Sequence, residues 1–183
     1  MIICAGNNEN FDFATPMGVG LIEMSINLTR LCLFDKPEFL LFVGSAGSYG
    51  KKNIFDIVES KTASNIELAF LSSDAYTPLD NVVSTNLTDK KDIIVNSSNY
   101  ISTNETLTKN FLKLGIGIEN MEFFALLSVA KEFDIPAGGV FCITNYTDKN
   151  AHQDFLKNQE KAKELLTEYV KKRIKELTNR WIL

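Results

Sequence analysis

Two apolar runs constrain this chain more than any other feature: EFLLFVGSAG at 38–47 and GGVFCITN at 138–145. A strand that is apolar on consecutive residues is buried on both faces, and that demands a sheet with helices on each side. The rest of the chain offers such helices. MGVGLIEMSINLTRLCLF puts Leu21, Met24, Leu28 and Leu31 on one face of a helix entered through Gly18 and Gly20. In GIENMEFFALLSVAKEFDIP, Phe124, Leu127, Ala130 and Phe133 recur at helical spacing behind Glu119, Met121 and Glu122, and Pro136 ends the run. A long amphipathic helix is expected from Gln153 to Leu177, with Phe155, Ala162, Leu166, Tyr169, Val170, Ile174 and Leu177 on its apolar face. MIICAG, NIFDIVES, IELAFLS and DIIVNSS read as further strands, and ETLTKNFLKLG as a short helix. DNVVSTNLTDKK reads as loop with residual strand character at Val82 and Val83. The expected fold is α/β, three layers α/β/α around a central mixed sheet, in one domain over 1–183.

Composition narrows the function classes. With 45% hydrophobic and 23% charged residues the chain reads as an ordinary soluble domain. A formal net charge of −4 argues against nucleic acid as partner. The basic residues that cluster over 157–173 are interleaved with Glu160, Glu164 and Glu168, the pattern of a solvated helix face. Cys4, Cys32 and Cys142 lack metal-ligand spacing and sit among apolar neighbours, so reduced buried thiols are expected. With His152 as the single histidine, neither a zinc site nor a Ser–His–Asp triad is easily built, and no metal is expected. MIICAGNNENF has no basic n-region, and no apolar run reaches the ~20 residues of a membrane span. The expectation is a cytoplasmic protein with no membrane contact.

Four strand ends run into small or polar residues: AGNNE, GSAGSYG, NSSNY and CITNYTD. In α/β sheets ligands bind at such carboxyl ends, where small residues let them approach the backbone. The four together point to a polar small-molecule pocket. GVGLIE carries Glu23 where a dinucleotide fingerprint needs its third glycine, and AGSYGKK lacks P-loop spacing, so neither indicates a nucleotide cofactor.

In order, MGVGLIEMSINL, FLLFVGSAGSYG, ENMEFFALLSVAKEFDIP and CITNYTDKNAH resemble the nucleoside phosphorylase/nucleosidase family. That family comprises the purine nucleoside phosphorylases and the methylthioadenosine/S-adenosylhomocysteine nucleosidases. The stretch between the first strand and MGVG is shorter here than in the family. The resemblance implies that Glu122 holds the ribose 2′- and 3′-hydroxyls, since a carboxylate accepts from two hydroxyls at once, and that Met121 lies under the sugar. It implies that Asn145 contacts the base, with Thr144 in support. Adenosine-type members usually carry an aspartate there, whereas an asparagine, offering both a donor and an acceptor, suits a 6-oxopurine. Tyr100 matches a base-stacking aromatic, Ser45, Ala46 and Gly47 the pocket floor, and His152 a residue near the sugar 5′ position.

Cleaving a purine N-glycoside builds positive charge on the ribose and negative charge on the base, so donors to the base and a carboxylate near the sugar favour the transition state. Phosphorolysis of a purine ribonucleoside is the activity expected from the resemblance, with phosphate as co-substrate and no cofactor. Gly18 and Gly20 are the expected anion-binding turn. Against this, the only arginines are Arg30, Arg173 and Arg180, while Leu21 and Phe141 stand where polar or basic residues are expected. One alternative is a nucleosidase in which Glu9 activates water; the other is a protein that binds a nucleoside or base without turning it over. A homo-oligomer, a dimer or larger, is expected.

Overall fold

The computed structural model describes residues 1–85 and 92–180. Part of the expected 80–91 loop and the end of the TNRWIL tail lie outside these. Nine strands form one mixed sheet among the described residues: β1 (Ile2–Cys4), β2 (Thr15–Pro16), β3 (Leu40–Ser48), β4 (Ile57–Ser60), β5 (Thr62–Ser64), β6 (Val82–Ser84), β7 (Ile94–Ser97), β8 (Ile116–Asn120) and β9 (Ala137–Tyr146). Their order is β2-β1-β3-β8-β7-β5-β6, with β9 pairing β3 and β4. The principal helices are α1 (Gly20–Phe34), α5 (Phe123–Glu132) and α6 (Ala151–Arg180); α2 (Leu68–Leu71), α3 (Glu105–Thr108) and α4 (Asn110–Lys113) are single turns.

Strand alternation divides the core into two layers. From β3 and β9, Phe42, Phe141 and Ile143 face α1 and α5, meeting Met24, Leu28, Phe123 and Leu126. Val43, Val140 and Cys142 face the other way, onto Ala162, Leu166 and Val170 of α6. Phe42, Phe123 and Phe141 form an aromatic trio with centroids 5.1–6.3 Å apart. Two strand glycines make room for it: a Cβ on Gly44 would lie 2.7 Å from the Phe42 ring, and one on Gly139 would lie 2.6 Å from Phe141. Phe141 is therefore a fully buried core residue, not a vacant position for a basic ligand. The three cysteines are free and buried, as expected.

Several expected elements differ. IELAFLS is not a strand; Leu68–Leu71 form α2, and Leu68 and Leu71 pack on the cluster of Tyr49, Ile66 and Phe111. The strand lies just upstream at Thr62–Ser64, paired with β6 and β7. Within NIFDIVES only Ile57–Ser60 is extended, because Asn53 and Asp56 close a turn through two hydrogen bonds. The glycine-containing approach to α5 is a fully buried strand, β8, so Glu119 belongs to the sheet and not to a helix mouth. The charged pairs on α6 are i,i+3 contacts, Lys161–Glu164 and Lys163–Glu160. No helix among the described residues is long and apolar enough to cross a membrane.

Candidate active site

β3 and β8 are antiparallel, yet they pair only at their last residues, Gly47 with Glu119 and Ser48 with Ile118. Their carboxyl ends therefore meet, β9, parallel to β3, ends beside them, and the residues that follow β1 reach the same place. One cavity of about 250 Å³ occupies this junction. It is lined by Glu9, Ser45, Ala46, Gly47, Tyr100, Met121, Glu122, Asn145 and His152, all expected from the sequence, and by Asn7, Asn8, Val19, Ile101, Glu119, Asn120 and Phe155 among others. All four small or polar strand ends contribute.

A β-bulge aims Asn145. The β3–β9 register runs Ser45 to Cys142 and Ala46 to Ile143, then jumps to Gly47 opposite Asn145, leaving Thr144 as the extra residue. Thr144 does not line the cavity. Its hydroxyl donates to Asn145 Oδ1 at 2.9 Å, and its carbonyl accepts from Asn158 of α6 at 2.8 Å. Asn145 Nδ2 donates to the Tyr146 carbonyl at 3.1 Å, so the amide keeps one free N–H and one free lone pair.

Glu122 sits immediately before α5, where a capping role is the ordinary explanation for an acid. It makes no side-chain cap bond. That task falls to Asn120, whose Oδ1 accepts from the backbone N–H groups of Glu122 and Phe123, each at 2.8 Å. The Glu122 carboxylate turns instead to the glycine turn: Oε1 accepts from Gly20 N at 2.8 Å, and Oε2 from Asn120 Nδ2 at 2.6 Å and Met121 N at 3.2 Å. One acceptor position remains, on Oε1. Burial, and after it the charge of Glu9, push the Glu122 carboxyl up to about 7. Glu9 Oε1 accepts from Ser45 N at 2.8 Å. Burial raises Glu9 too, opposed by the Ser45 hydrogen bonds and by Lys163.

The amides around Gly18 and Gly20, the expected anion-binding turn, are directed at internal acceptors. Both have positive φ, 103° and 82°, which explains the glycines. Gly18 N donates to Ala5 O at 2.9 Å, Val19 N to Glu23 at 3.0 Å, Gly20 N to Glu122, and Leu21 N to Asn99 Oδ1 at 2.9 Å. Every amide of the turn already has an internal acceptor, and neither glycine lines the cavity. Arg30 and Arg173 are also absent from its lining, and Arg173 pairs with Glu59 and Glu176. Tyr100, 78% exposed, and His152 stand at the mouth. In the sequence Glu119 reads only as an acid near a helix; its place in the cavity wall follows from β8, which the helical spacing of the residues after it conceals. No group of three or more His, Cys, Asp or Glu among the described residues is placed to hold a metal ion.

Residues 93–175 match the model of the phosphorylase superfamily. The segment runs from β7 into α6 and contains both sequence stretches, ENMEFFALLSVAKEFDIP and CITNYTDKNAH, on which the family resemblance rests most heavily. Comparison with curated proteins finds no match. Among solved structures, the fold is similar to a mutant Helicobacter pylori 5′-methylthioadenosine/S-adenosylhomocysteine nucleosidase with 5′-methylthioadenosine in the active site. That match has a TM-score of 0.76 at 17% identity, covering 89% of this chain and 79% of that one. A futalosine hydrolase mutant of the same organism matches at TM-score 0.75 and 17% identity, over 89% and 80% of the two chains. A nucleosidase from S. pneumoniae with a transition-state inhibitor matches at 0.73 and 11%, over 92% and 95%. The α/β fold with a central mixed sheet and flanking helices is thus the one these proteins share.

Proposed function

We propose that this chain, with its phosphorylase-superfamily segment and nucleosidase-like fold, cleaves the N-glycosidic bond of a purine ribonucleoside with water, and not with phosphate as the family resemblance implies. One observation carries this reading: the described cavity lining holds three carboxylates, Glu9, Glu119 and Glu122, and no lysine or arginine. A phosphate dianion would be repelled there, and the nearby glycine turn has no amide left for it. Neutral water meets no such barrier.

The reaction then runs as follows. A ribose hydroxyl donates to the free position on Glu122 Oε1, and Met121 packs under the sugar. Asn145 binds the base edge through its remaining N–H and lone pair, a pattern that fits a 6-oxopurine. Water attacks C1′ as the bond to the base nitrogen breaks; Glu9 takes one water proton, and the base, stabilised by the Asn145 N–H, leaves and is protonated from solvent. A volume of about 250 Å³ suits a base or nucleoside, being just under the roughly 300–1,000 Å³ of drug-sized sites. A homo-oligomer remains part of the proposal. Ile22, Ile26 and Leu33 form an exposed apolar stripe along α1 that an assembly would cover.

The test follows release of free base from inosine, guanosine, adenosine and 5′-methylthioadenosine, with and without phosphate. Release independent of phosphate and abolished by Glu9→Gln is expected. Release that requires phosphate would establish a phosphorylase. Binding of a base without release from any nucleoside would support a non-catalytic binding protein.

A further inference from the structure

The reaction above uses Glu9 and Glu122 and leaves the third carboxylate of the cavity without a part. Glu119 is 9% exposed at the end of β8. Its Oε1 accepts from Ser102 N at 3.0 Å; its Oε2 accepts from Ser102 Oγ at 2.6 Å and from the Tyr49 hydroxyl at 2.9 Å. Tyr49 is a fixed anchor, 2% exposed and stacked on Phe111 at 4.5 Å. Glu119 therefore joins a rigid ring of the core to residues 98–102, which belong to no helix or strand.

This segment carries Tyr100 and Ile101, which line the cavity although they are 78% and 47% exposed. Its other ties are Asn99 Oδ1 to Leu21 N at 2.9 Å and a long contact from Ser98 N to Asn120 O at 3.4 Å. The fastening lies at the Asn145 end of the cavity: a Cβ on Gly47 would meet Asn145 Nδ2 at 3.0 Å and Glu119 Cγ at 3.2 Å. A buried carboxylate is costly unless its hydrogen bonds compensate it, and an apolar side chain would pack at this position without that cost. What an apolar side chain could not do is hold both donors of Ser102.

We propose that Glu119 is a positioning residue that fastens segment 98–102 as a wall of the cavity, so that Tyr100 and Ile101 are held against the base. It acts on affinity for the base and not on bond cleavage. The identity of the ligand rests on the nucleosidase reading; the fastening does not.

The experiment compares amide hydrogen exchange over residues 98–104 in the wild type, Glu119→Val, Glu119→Gln, Ser102→Ala and Tyr49→Phe, with calorimetric binding of hypoxanthine and adenine and steady-state kinetics on the same proteins. In Glu119→Val, exchange is expected to rise and base affinity to fall by about tenfold, with KM raised and kcat kept, since two charge-assisted bonds to Ser102 are lost. Glu119→Gln keeps an acceptor for Ser102 N and is expected to restore most of both. A folded Glu119→Val with unchanged exchange would overturn the proposal, as would faster exchange with unchanged base affinity and KM. If Glu119→Val does not fold, Tyr49→Phe carries the test: it keeps the ring on Phe111 and removes one donor, and a loss of about threefold in affinity is expected. A wild type that binds neither base nor nucleoside would refute the nucleosidase reading, and the exchange comparison would still decide whether Glu119 fastens the wall.

Discussion

The two halves of β3 and β9 sit in one sheet and follow opposite rules. Over Leu40–Val43 and Val140–Ile143 the side chains alternate cleanly between two apolar layers, and strand glycines serve only to seat aromatic rings. Over Ser45–Ser48 and Thr144–Tyr146 the register slips, polar side chains are buried, and carboxylates crowd one cavity. The first half is where folding free energy is gained through burial and dispersion. The second half gives some of it back, because charged forms are held out of water. Damage to the two halves should therefore appear in different measurements: stability for one, turnover and pH dependence for the other.

Glu9→Gln is expected to have the largest effect, lowering kcat by about 10²–10⁴-fold while thermal unfolding stays near the wild type. Equal loss of kcat and stability would break the division between the halves. Phe141→Ala, which empties the middle of the aromatic trio, is expected to cost about 3–5 kcal/mol in denaturant unfolding. Third comes pH. The Glu122 carboxyl rises from 4.5 to about 7 on folding, so the native state binds more protons than the unfolded one between these values. Its contribution to stability is full below pH 4.5 and is lost as pH rises through about 7, a change on the order of 3 kcal/mol. Unfolding curves across this window should show the decline, and Glu122→Gln should flatten it. The same ionisation makes Glu122 a better acceptor for a ribose hydroxyl, so nucleoside affinity is expected to tighten as pH rises through 7. The smallest effect is that of Thr144→Val, which removes the donor to Asn145 Oδ1: about 1 kcal/mol, read as a several-fold rise in KM with kcat little changed.

The apolar half was legible because periodicity reports burial. EFLLFVGSAG and GGVFCITN became β3 and β9, and the faces of α1 and, as far as Val170, of α6 fell close to where spacing put them; Ile174 is 48% exposed, and the Leu177 side chain lies outside the described residues. Leu21 and Leu31 are only partly buried, and Cys32 takes the central place. The convergence of four strand ends was legible for the same reason: a covered sheet leaves its carboxyl edge as the place where polar residues can gather. What stayed hidden depends on partners distant in the chain. Nothing local reveals that Gly20 N donates to a carboxylate 102 residues away, or that the Asn99 side chain caps the same turn. Those two bonds alter the expected anion site more than any residue within it. IELAFLS misled because a short apolar run lacks the length to distinguish a strand from a helical turn. The cap by Asn120 is hidden because the acid two residues on is as ordinary a cap from sequence alone.

Thr144 has a consequence of another kind. A strand presents its side chains by parity, and β9 keeps step with β3 for seven pairs before one surplus residue changes odd to even. No side-chain replacement can reproduce or cancel that offset, because it is a matter of residue count. Chains of this architecture can exchange the group at position 145 one substitution at a time, trying amide against acid while the frame stands still. Removing a single residue between Ile143 and Asn145 would instead present a different sequence of groups to the ligand at once. The variation open to this site thus divides into two currents, substitutions that retune the base contact and rarer length changes that replace it.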